Sequence, residues 1–160
     1  MVLEGARGVI ERGWLQHAWY RTDRRPPRSW LARVRRADPV PDIDAVRQAC
    51  LVAAVAVAAH RGGGRPDVVG DAGPALDLVW DALWETRGQP GPPATGRAVA
   101  PTVRAARMRD LVRWNDTPGR TRADVLGLLD RAISRSIMGA VGSSAQGRAA
   151  SKVSGSTGAA

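Results

Sequence analysis

The chain reads as an all-α domain, a compact bundle of four to five helices followed by a disordered C-terminal tail. Three observations predict it. Apolar residues recur at three- and four-residue intervals in several separate segments, the spacing of one helical face. One of these segments, Ala49 to Ala59, is apolar nearly all round, as a helix in the middle of a bundle would be. Between the segments lie clusters rich in Gly and Pro, which end helices.

The elements follow in order. Residues 2–12 form a short helix with Val2, Leu3, Ala6, Val9 and Ile10 on one side, and Gly13 is suited to the left-handed position that ends it. In the next seven residues, Trp14 to Tyr20, the period fits a short strand as well as a continued helix, so a small N-terminal hairpin stays open. Residues 21–41 hold seven arginines and four prolines and read as an Arg/Pro-rich loop. A second helix is expected over 43–60, ending at the glycines 62–64. A third, over 74–86, has Leu76, Val79, Trp80, Leu83 and Trp84 on one face and Asp77, Asp81 and Glu85 on the other. Residues 87–97 are a Gly/Pro linker loop, and a fourth helix spans 101–113.

Asn115, Asp116, Pro118 and Gly119 then make a sharp turn: the first two bond backbone amides with their side chains, proline fixes φ, and glycine tolerates φ > 0. Thr121, with Asp124 three residues on and an apolar run after it, is a variant of the capping box and opens the closing helix. Its core face carries Val125, Leu126, Leu129, Ala132, Ile133, Ser136 and Ile137. Residues 139–160 are mostly Gly, Ser and Ala, too poor in large apolar side chains to offset their ordering entropy, so the folded domain is expected to be 1–138.

Three islands carry a family resemblance: the amphipathic N-terminal segment ending in Gly13-Trp14, the Cys50-Leu51 start of an apolar helix, and Trp114-Asn115-Asp116 followed by Pro118-Gly119-Arg120-Thr121 and a closing helix. Together they resemble a family of small uncharacterised actinobacterial proteins, a domain of unknown function. The resemblance implies no activity, cofactor or site residue.

Composition narrows the function classes. The net charge of +9 comes from 24 basic residues, of which only Lys152 is a lysine, and gives a field that attracts polyanions or acidic partners. Abundant Arg, Ala, Gly and Pro equally fit a GC-rich coding bias. The single cysteine, Cys50, excludes an internal disulfide and fits a reducing, cytoplasmic setting, where it acts as a small core hydrophobe. No secretory signal is visible, and the run from 49 to 59 is far short of the ~20 residues of a membrane span.

Two polar constellations bear chemistry. Asn115, Asp116 and Arg120, with Trp14 and His17, have the groups to bind a small polar ligand or orient a water. The plainer reading is that Asn115 and Asp116 shape the turn, Arg120 pairs with Asp116, and Trp114 is a wedge between helices. Arg24, Arg25, Arg28, Arg33, Arg35 and Arg36, with Trp30 among them, suit phosphate forks and ring stacking, though no nucleic-acid-binding motif accompanies them. His17, His60 and Cys50 lack metal-ligand spacing, and HRGGGR at 60–65 lacks the strand and Lys-Ser/Thr ending of a phosphate loop; no metal or cofactor is expected. The sequence therefore favours a non-enzymatic binding or regulatory module that contacts an acidic protein or nucleic acid through the Arg-rich loop. The alternative is a small-ligand binder or enzyme at the Trp-Asn-Asp turn. Oligomeric state is not legible.

Overall fold

The structure is a computed structural model and describes residues 2–23, 42–60, 70–89 and 99–154, with side chains as far as Gly139. The six arginines of the 24–36 stretch, most of the HRGGGR segment and most of the 87–97 linker lie outside the described residues.

Five helices and one two-stranded sheet make up the described fold. The helices are α1 (Val2–Arg12), α2 (Leu51–Ala59), α3 (Gly73–Thr86), α4 (Pro101–Asn115) and α5 (Arg122–Ser154); the strands are β1 (Tyr20–Thr22) and β2 (Val46–Ala49). Helix α2 is the hub. Eight of its nine residues are buried, and α1, α3 and α4 pack around it, while α5 closes over α1 and α3. The core gathers Leu3, Val9 and Ile10 of α1, Leu76, Val79 and Leu83 of α3, Leu111 of α4, and Val125, Leu128, Leu129 and Ala132 of α5. Alanines along α2 let its neighbours approach closely while still removing apolar surface from water.

Four points of the sequence reading are corrected or completed by the structure. The helix expected from 43 begins at Leu51 instead: Ile43–Ala45 is a 3₁₀ turn and Val46–Ala49 is strand. Val46 and Ala49 are buried and Arg47 is exposed, and the backbone bonds on both sides. On one side β2 pairs antiparallel with β1, Tyr20 opposite Ala49 and Arg21 opposite Gln48, with a bulge before Thr22. On the other, Ala49 N–H donates to Gly13 O (3.1 Å) and Leu15 N–H to Ala49 O (3.3 Å). Partners on two edges outweigh the helical propensity of VRQA.

Gly13, secondly, is not left-handed; among the described residues that conformation belongs to His17, Gly88 and Gly119. Glycine is required at 13 for space, because a Cβ there would lie 2.6 Å from Arg47 O and 2.7 Å from Gln48 Cγ. Thirdly, the acidic face of α3 is partly covered by other helices, with Asp77 and Asp81 half-buried and Glu85 exposed. Asp77 accepts from Arg104 Nε (2.9 Å) and an Arg107 guanidinium nitrogen (2.8 Å), and Arg135 of α5 pairs with Asp81 and Glu85. Lastly, Leu128 joins the buried face of α5, whereas Ile137 is half exposed.

Of the readings left open for Trp14 to Tyr20, neither a continued helix nor a local hairpin forms: strand begins only at Tyr20 and pairs with Val46–Ala49, while helices 1, 3, 4 and 5 start within about a residue of their sequence signals. The backbone of α5 continues as helix past residue 138 to Ser154. No helix among the described residues is long and apolar enough to cross a membrane.

Candidate functional site

The Trp-Asn-Asp turn ends α4. Asp116 N–H closes the last helical turn onto Val112 O (3.0 Å), Thr117 Oγ1 donates to Arg113 O (2.9 Å), and Gly119 takes φ +79°, which frees the chain to reverse into α5. Thr121 then caps α5 as its sequence predicts. Its hydroxyl accepts from Asp124 N–H (3.2 Å), and Asp124 Oδ2 accepts from Thr121 N–H (2.9 Å). The Thr121 N–H and the Thr121 hydroxyl (2.9 Å) both donate to Asp124 Oδ2, which favours the ionised carboxylate and holds the Asp124 pKa below its usual value.

Asn115 is buried, with 1% of its surface exposed, and it is the one buried polar residue among those described. Its side-chain amide is saturated. Oδ1 accepts from Trp14 Nε1 (2.8 Å) and from Leu51 N–H (3.1 Å), and Nδ2 donates to Leu15 O (3.2 Å) and to Asp116 Oδ1 (2.8 Å). Both partners of Oδ1 are obligatory donors, which fixes the orientation of the amide. One side chain thereby ties the end of α4 to the 14–17 segment and caps α2 from outside. Asp116 extends the tie: its Oδ1 accepts His17 N–H (3.0 Å), and Oδ2 lies 3.7 Å from His17 Nδ1. Gln16, which no sequence signal marks, completes it by donating to Asn115 O (2.8 Å) and Thr117 O (3.0 Å).

Of the five residues expected at this site, Trp14, His17, Asn115 and Asp116 thus come together. Arg120 does not join them. Its guanidinium stacks over Trp114, 4.2 Å from the ring centroid, and lies 3.8 Å from Asp124, so the expected Arg120–Asp116 pair is replaced by a cation–π contact and an i,i+4 neighbour. Asp116 is committed to Asn115 and His17, which leaves the guanidinium to the adjacent ring.

Cys50 precedes α2 under the 15–19 segment, its N–H donating to Trp19 O (2.9 Å). Burial pushes its thiol pKa up, and the nearby Asp116 charge adds to the effect, the environment of an inert core cysteine. Among the described residues no three His, Cys, Asp or Glu side chains converge as metal ligands.

A second polar network lies between α3 and α4. Trp80 and Trp84 stack at 4.9 Å, Arg107 covers Trp80 (4.4 Å) and Arg87 covers Trp84 (5.4 Å), a four-member ladder of cations and rings. Asp81 Oδ1 and Arg107 Nε are buried there with no hydrogen-bond partner among the described residues. An open groove of about 740 Å³ between α3 and α5 is lined by Glu85, Arg131, Arg135 and Met138 among others, away from the Trp-Asn-Asp turn.

These features define a mostly helical domain with a small two-stranded sheet, in which a buried asparagine at the end of α4 ties down the 14–17 segment and the start of α2. The chain belongs to the family of unknown function DUF6197, whose pattern matches residues 1–135. No curated protein and no protein of solved structure matches it.

Proposed function

We propose that the chain is a non-enzymatic binding or regulatory module that engages a polyanionic partner, nucleic acid or an acidic protein, through its Arg-rich segment. The observation that carries this reading is the saturation of Asn115. The amide with the best claim to ligand chemistry spends all four of its hydrogen bonds inside the protein, which weighs against a catalytic or small-ligand role for the turn. What remains unspent is charge. Between residues 21 and 36 stand seven arginines and one aspartate, and Arg21, Arg109, Arg113 and Arg131 make no ion pair among the described residues. A cytoplasmic setting with a reduced Cys50, in an actinobacterium with an arginine-biased genome, fits the same composition.

The test replaces Arg24, Arg25, Arg28, Arg33, Arg35 and Arg36 with glutamine. Wild-type protein is expected to be retained on immobilised single-stranded or duplex DNA, or on polyglutamate, at about 50 mM salt, with affinity falling steeply as salt rises. The six-fold variant is expected to lose retention while keeping its circular-dichroism spectrum. Wild-type protein that passes through all three matrices at that salt overturns the reading.

A further inference from the structure

The surface around the Trp-Asn-Asp turn combines exposed rings with unpaired arginines. Trp19 is 50% exposed, although an indole ring this large is ordinarily mostly covered. Two residues away the His17 imidazole is 74% exposed, and its backbone holds φ at +59°, a conformation uncommon outside glycine though more often adopted by histidine than by most residues. The His17 N–H on Asp116 Oδ1 keeps the residue in that position. Across the turn, Trp114 carries the Arg120 guanidinium on its face.

Exposed cations lie close to these residues and to the turn in the sequence. Arg21 is exposed two residues beyond Trp19, and Arg109 and Arg113 are exposed four residues apart on one side of α4, just before Trp114. None of the three is paired to a carboxylate among the described residues. The carboxylates at the turn are already engaged, Asp116 by Asn115 and His17, Asp124 by Thr121 and Arg120. The surface is thus both aromatic and cationic.

That combination discriminates among polyanions. A duplex offers phosphates but keeps its bases stacked inside, and an acidic peptide offers carboxylates but no row of flat rings. A single strand offers both, bases for the exposed rings and phosphates for the arginines. We propose that this surface binds single-stranded nucleic acid, with bases stacking on Trp19 and His17 and the backbone running over Arg21 and Arg113. The inference rests on the polyanion-binding reading above and adds to it the partner class and contact residues other than the 24–36 arginines.

Two probes separate the inference from that reading: a labelled oligothymidylate of about 15 nucleotides and an abasic strand of the same length, which keeps the phosphates and lacks the bases. Fluorescence anisotropy with the full chain at about 50 mM salt is expected to give at least about tenfold tighter binding to the oligothymidylate. Trp19→Ala is expected to remove about tenfold of affinity for the oligothymidylate and to leave the abasic strand unchanged, while Trp19→Tyr keeps most of the preference. Equal binding of both strands by wild-type protein overturns the stacking surface and leaves the arginine-driven reading standing. Binding of neither strand, with polyglutamate retained, also overturns it and assigns the charge to an acidic protein. A preference for bases that survives both Trp19→Ala and His17→Ala shows that the rings lie elsewhere and overturns the assignment.

Discussion

Two polar networks inside this fold are built on opposite principles. At the end of α4, a neutral amide is buried and every one of its hydrogen-bonding positions is filled. Between α3 and α4, charged groups are partly buried, and two of their atoms, Asp81 Oδ1 and Arg107 Nε, find no partner among the described residues. The first network connects segments far apart in sequence and admits one arrangement. The second connects neighbouring helices with several carboxylates and guanidinium groups that have alternatives to one another. A fully satisfied buried network specifies structure strongly, whereas a partly satisfied ionic one contributes little net stability, because desolvation of its charges offsets their attraction.

The comparison is sharpened most by Asn115→Ala. It leaves Trp14 Nε1, Leu51 N–H and Leu15 O without their partner, at about 1–3 kcal/mol for each group left buried. A loss above about 3 kcal/mol is expected, larger than the ~0.5–2 kcal/mol of an ordinary capping residue, and visible as a fall of roughly ten degrees in a thermal melt. A fall of only a degree or two would reduce Asn115 to a turn former and erase the contrast.

Gly13→Ala attacks the same region through space rather than hydrogen bonding. The added methyl meets Arg47 O, a backbone atom, so β2 must shift, and a cost of about 1–3 kcal/mol is expected in chemical denaturation. An unchanged denaturation midpoint would mean that the 13–15 segment and β2 separate freely.

At the ionic network a small effect of opposite sign is expected. Burial raises the Asp81 pKa above its usual 3.8, and Arg107 and Arg135 only partly pull it back. A carboxyl whose folded pKa is raised contributes most below its unfolded value and loses that contribution as pH rises through the folded one. At about pH 7 the ionised Asp81 is therefore a burden, and Asp81→Asn is expected to raise the melting midpoint by about a degree or two. The gain should shrink as pH falls into the range where Asp81 takes up its own proton, which burial places above that of an ordinary carboxyl. A clear destabilisation by Asp81→Asn at neutral pH would show that its pairing with Arg135 outweighs burial.

What could be read from the sequence is local. The Thr121–Asp124 cap, the apolar spacing of Leu76, Val79 and Leu83, and the all-apolar run of α2 each involve residues within a few positions of one another, and each is found as expected. The turn character of Asn115 and Asp116 was legible for the same reason, and so was their company with Trp14 and His17 as a candidate grouping. The bonding pattern was not, since it depends on where Leu15 O and Leu51 N–H arrive in space. The strand at 46–49 escaped because its partners, Gly13, Leu15 and β1, lie more than twenty residues upstream. The placing of Asp77 and Asp81 opposite the apolar stripe was legible, but their ion pairs were not, because nothing in α3 itself announces the arginines of α4 and α5.

The bonds of Asn115 span about a hundred residues, from 14–17 to 115–117, and α1 rests on α5. During synthesis this imposes an order of assembly. While the ribosome is still adding residues before 115, the first turn of α2 has no external cap, and its apolar surface lacks the cover that α4 supplies. The N-terminal half therefore emerges as a set of sticky helices that is first tied at residue 115 and covered only when α5 follows, so the interval before α5 leaves the tunnel is the one in which exposed apolar surface invites aggregation.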